Sequence, residues 1–73
     1  MTQNDHETLA EALPREMARV RDQVLPIYDT VGAGGSFAIA MMKADLDAAA
    51  RAMAEGDILA MIRAYKALEG YKL

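Results

Sequence analysis

The stretch VGAGGSFAIAMMKADLDAAARAMAEGDILAMIRAYKALEGYK, residues 31–72, decides the fold. It holds two apolar runs of helical period, separated by Glu55-Gly56-Asp57 and preceded by a glycine-rich connector, Gly32-Ala33-Gly34-Gly35-Ser36. In the first run Ile39, Met42, Leu46, Ala49 and Met53 recur at steps of three and four, which places them on one face of an α-helix. Phe37, Met41, Ala44 and Ala48 widen that stripe. Lys43, Asp47, Arg51 and Glu55 recur every four residues opposite and mark the wet side. Ser36 is a favoured N-cap type, so the expected helix covers 36–54. Glu55-Gly56-Asp57 then closes it and caps the next helix, expected over 58–69 with Gly70 as its stop. Ile58, Met61, Ile62, Tyr65 and Leu68 form its seam, Leu59 lies off the stripe, and Arg63 with Lys66 leaves a narrow polar face.

Toward the N-terminus, Leu13, Met17, Val20, Val24, Ile27 and Val31 follow a step pattern like that of a coiled-coil seam. Pro26 falls inside it and predicts a kink or restart. Thr8-Leu9-Ala10-Glu11 matches a capping box, in which side chains satisfy the first backbone donors of a helix. Pro14 clashes with a continuing helix and restricts Leu13, so the expectation is a short turn at 8–12 and a fresh helix from Pro14. No segment alternates with period two. The fold class is therefore all-α: a small bundle of three main helices (about 14–31, 36–54 and 58–69) plus the N-terminal turn, without strands. One domain, 8–73, follows a polar tail, 1–7, expected to be disordered. The alanines at 44, 48, 52, 60, 64 and 67 read first as helix propensity and second as close helix packing.

The chain has 73 residues, 53% of them hydrophobic, with six Met, one Phe, no Trp and no Cys. Below about 70–80 residues a single core rarely supplies more than about 3–5 kcal/mol without a staple, a metal or a partner subunit. Without Cys, no disulfide or thiolate zinc site forms. The net charge of −3 disfavours phosphate neutralisation, so nucleic acid is an unlikely partner class. A helix-turn-helix reader would place Ile58-Leu59-Ala60-Met61-Ile62 where polar side chains must meet base edges, and would need Arg15, Arg19, Arg63 and Lys66 to converge. The longest apolar run, 37–42, falls far short of the roughly 20 residues of a membrane span. The N-terminal residues lack the pattern of an export signal, so the expected location is the cytoplasm.

Candidate chemistry is sparse. The 32–36 glycine connector precedes a helix, where backbone amides attract anions, but no strand leads into it and the lysine of a phosphate loop is missing. It reads as a turn. His6 is the only histidine, Asp45 and Asp47 diverge around a helix, and Glu55 and Asp57 are explained by helix ends. The expectation is a non-enzyme with no catalytic residues, no cofactor and no metal. Met17, Met42, Met53 and Met61 are assigned to the core, with Phe37 and Tyr65 as its aromatic anchors. What remains is surplus apolar helix surface, which points to a protein-interaction module and most simply to a homodimer. The expected interface residues are Met41, Leu59 and Ile62.

Three stretches, LPREM at 13–17, VGAGGSFAIAMM at 31–42 and AEGDILAMIRAYKALEGYK at 54–72, resemble small uncharacterised proteins of proteobacterial prophages and mobile elements. The resemblance covers most of the chain from Leu13 onward and contains no catalytic signature. It implies a short accessory protein that binds and modulates a host or phage protein, which is the alternative to self-association. A small DNA-binding regulator is the second alternative.

Overall fold

Residues 7–72 are described by the computed structural model. Helix α1, Leu9–Arg19, opens on the expected capping box: the Thr8 amide donates to Glu11 Oε1 at 3.0 Å and the Glu11 amide donates to Thr8 Oγ1 at 3.2 Å. The expected restart at Pro14 does not occur, because α1 runs straight through it. Pro14 and Ala10 both face solvent, so the Ala10 carbonyl that loses its donor is left to water. On the other side of the helix Ala12, Leu13 and Glu16 are buried, and that burial offsets the missing bond. Glu7, assigned by sequence to the tail, is instead tied to α1 by Arg15. The rest of that tail, 1–6, and its histidine, His6, lie outside the described residues.

A π-helical turn, Val20–Val24, follows directly, and the Leu25 amide donates to the Val20 carbonyl five residues back. Helix α2, Leu25–Asp29, continues from it with Pro26 in its first turn. The π turn holds one residue more than an α turn and so rotates everything after it by about 100°. Leu13, Val20 and Val24 stay in the core as expected, but Ile27 and Val31 are exposed, and Leu25 and Tyr28 take their places against it. The kink expected at Pro26 is thus a phase shift of the seam.

The glycine connector is wound as a 3-10 turn, Gly32–Gly35. The chain enters helix α3, Ser36–Glu55, already helical, with Gly35 at the cap and Ser36 as the first helical residue. Ser36 therefore does not cap α3, since a side-chain cap needs an extended backbone that this position lacks. At the other end the expected signals operate. Gly56 is left-handed at φ 66°, the Asp57 amide donates to the Ala52 carbonyl at 3.0 Å, and Asp57 Oδ1 accepts from the Ala60 amide at 3.1 Å. Helix α4, Ile58–Glu69, ends at Gly70 with ordinary right-handed geometry.

Helices α1, α3 and α4 meet around Leu13, Val20, Val24, Met42, Ala49, Ala52, Met61, Ala64 and Leu68. Among the described residues no aromatic side chain is fully buried; Tyr28, Tyr65 and Tyr71 pack at the rim. Met42 and Met61 are buried as expected, while Met17 and Met53 are only partly covered. Ala49, Ala52 and Ala64 lie between α3 and α4, so part of the alanine content does serve close packing. The backbone spreads over 39 × 31 Å but is only 15 Å thick, and few positions are covered from every side. Its radius of gyration is 12.9 Å, against about 11 Å for a compact chain of this length. Among the described residues there is no strand, and no helix is long and apolar enough to cross a membrane.

Candidate interaction surface

Three residues expected at an interface are exposed: Leu59 at 65%, Met41 at 44% and Ile62 at 39% of their full surface. The expected core anchor Phe37 is also outside, at 77%, and Tyr65 is only partly covered. Phe37 lies about 140° around α3 from the buried Met42, on a side turned away from the core. Helix α4 is 12 residues, about 18 Å, and packs against an α3 of 20 residues, about 30 Å. Past the end of α4 the Tyr71 hydroxyl donates to Asp45 Oδ2 at 2.6 Å, and α1 and α2 also pack on α3, where Met42 is fully enclosed. Phe37 and Met41 sit on the exposed flank beside that covered side.

The expected interface set is consequently divided. Ile58, Leu59 and Ile62 form one apolar patch in the first turns of α4, and Met41 lies past its last turn with Phe37, about one α4 length away. Phe37, Met41, Ala44 and Ala48 are all exposed and, at steps of four and three, share one flank of α3. That flank leads into a groove between α3 and α4 lined by Asp45, Ala48, Ala60, Arg63, Ala64 and Ala67. The floor is methyl groups, and the charged residues are one carboxylate and one guanidinium. A shallower apolar depression lies at the α2–α3 turn, formed by Ile27, Tyr28, Thr30 and Val31.

Charges organise the opposite side, along α1 and α4. Glu16, nearly buried, accepts from Arg15 at 2.8 Å and from Arg19 at 3.0 Å. Arg15 also forks onto both Glu7 oxygens, at 2.8 and 2.9 Å, and Arg19 reaches across to donate to the Leu68 carbonyl at 3.1 Å. The hydrogen bond from Arg15 holds the Glu7 carboxyl below its usual range, and the same contact keeps Arg15 firmly protonated. Arg15 and Arg19 are thus spent on carboxylates, and Arg63 lines a different groove, so the four cations considered for phosphate binding do not form one surface. Burial, then the Asp45 hydrogen bond, pushes the Tyr71 hydroxyl up to about 12. Every buried side-chain polar atom among the described residues has a partner.

Asp45 is half-buried under Tyr71 while Asp47 faces water, which is the divergence their spacing predicts. Among the described residues no three His, Asp or Glu side chains gather into a metal-sized cluster. The Tyr71–Asp45 bond and the Glu16 bridge were not anticipated from sequence; only the three-residue step from Glu16 to Arg19 hinted at the second. No family model, curated protein or solved structure matches the chain.

Proposed function

We propose that this chain is a small, non-enzymatic helical protein-interaction module whose first partner is another copy of itself. The observation that carries the reading is the balance of apolar side chains. The core cluster holds nine residues, three of them alanine, while Ile27, Val31, Phe37, Met41, Ile58, Leu59 and Ile62 stand exposed. Fully burying one such side chain is worth about 1.5–3 kcal/mol, a large fraction of what a domain this small has at its disposal. A two-fold contact between copies covers the same patch twice. The buried Glu16 carboxylate and the half-buried Tyr71 hydroxyl are each closed on internal partners, which favours binding over catalysis.

A regulator that docks on a different protein is the second reading. It is favoured by the division of the apolar residues into separate patches, since one contact between copies leaves the other patch free. Light scattering over a range of concentrations tests the first reading. The expected result is a dimer mass that falls toward the monomer on dilution. A monomer mass at every concentration reached would sink self-association and leave the second reading.

A further inference from the structure

We infer that the second copy lies antiparallel along the bare flank of α3, the Phe37 ring of each copy seating in the alanine-floored groove of the other. This rests on the self-association proposed above and names its surface. A two-fold contact requires that a residue i facing j also has j facing i, so every protrusion on one side of the axis needs a hollow at the same distance on the other side. The flank of α3 meets that condition in sequence and in space. Over residues 37–48 its exposed positions are, in order, Phe37, Met41, Ala44 and Ala48: two bulky side chains, then two small ones. The pair Phe37 and Ala48 and the pair Met41 and Ala44 share one midpoint, so a single antiparallel register sets large against small at both.

Ala48 also lines the groove with Ala60, Ala64 and Ala67, which extends the hollow onto α4 where the ring arrives. The groove's two charged residues, Asp45 and Arg63, are opposite in sign, so a copy of this surface brings no net like charge to it. The row Lys43, Asp47, Arg51 and Glu55 starts on the other side of the stripe and winds onto this flank only at Arg51 and Glu55, past the positions paired in this register. About 20 Å of overlap along α3, with the adjoining edge of α4, covers on the order of 500 Å² per copy. Two copies then bury about 1,000 Å², the lower end of a specific interface, which fits a dimer that dissociates on dilution.

The chain has no cysteine, so single introduced cysteines report their own proximity. The experiment mixes Met41→Cys chains with Ala44→Cys chains under mild oxidation, with Leu59→Cys alone as comparison, and measures dimer dissociation for Phe37→Ser and Leu59→Ser. Both serine sites are exposed, and circular dichroism is recorded on each variant to check that helicity is retained. The expected result is a cross-linked mixed dimer, dissociation at least tenfold easier for Phe37→Ser, and a change under twofold for Leu59→Ser. A wild-type dimer in which Leu59→Ser dissociates and Phe37→Ser does not, or in which only Leu59→Cys cross-links, overturns this face and leaves self-association standing. A wild-type monomer at every concentration overturns both.

Discussion

A methyl group on Gly35 would lie 2.4 Å from the Tyr28 carbonyl oxygen and 3.1 Å from the Val31 side chain, whereas one on Gly34 would meet nothing within 4 Å. Adjacent and identical in sequence, the two glycines serve different ends. Gly35→Ala should cost about 1–3 kcal/mol, because backbone at both ends of the turn must move. Gly34→Ala should be neutral or stabilise by up to about 1 kcal/mol, by narrowing the unfolded ensemble. Urea melts of the two variants check this, and equal losses would place the turn differently. Tyr71 makes the second prediction at this scale. Its hydroxyl is raised from 10.0 to about 12 by burial and by Asp45. Its contribution to stability is therefore complete below pH 10 and lost as pH rises through about 12. Thermal melts should show wild type losing its advantage over Tyr71→Phe across that window. A constant difference would mean that the hydroxyl is not held by Asp45 in solution.

Among the elements, most end signals were legible, the Ser36 cap excepted, and interior phase was not. The capping box at Thr8 and Glu11, the left-handed Gly56 and the Asp57 cap are interactions within three to five residues, so the local sequence suffices to specify them. The two prolines were read by the same local logic, and there it fell short. Pro14 sits inside α1 because its cost falls on a solvated carbonyl while the buried side of the helix is retained. Pro14→Ala restores an amide donor to Ala10 and should stabilise the protein by about 1–2 kcal/mol, seen as a higher urea midpoint with unchanged slope. A lower midpoint would mean that the proline's restriction of the unfolded chain outweighs the missing bond. Near Pro26 the π turn carries burial from the Ile27 and Val31 positions to Leu25 and Tyr28. An extra residue per turn leaves no mark on apolar spacing, so the seam read from the sequence continued where the real one had rotated.

For the whole molecule, the governing quantity is how much of each helix its neighbours wrap. Helices α1, α2 and α4 pack on one side of α3 and leave Phe37, Met41, Ala44 and Ala48 on its flank without cover. If copies supply that cover, folding is linked to association, and the melting temperature should rise with protein concentration. Phe37→Ser should make it independent of concentration while the low-concentration value stays near that of wild type. A melting temperature that is flat across concentration for wild type would argue for a self-sufficient monomer.

The sequence by itself determined an all-α chain, two of its helices nearly to the residue, and Met41, Leu59 and Ile62 as surplus apolar surface. Those properties follow from periodicity and capping, which act within a few residues. Only the tertiary structure decided that Phe37 is outside, that Met41 is parted from Leu59 and Ile62, that Arg19 reaches Leu68 and that Tyr71 is closed on Asp45. Helical spacing states which side chains share a face. It does not state how wide a face the neighbouring helices wrap, and that width decides what is buried.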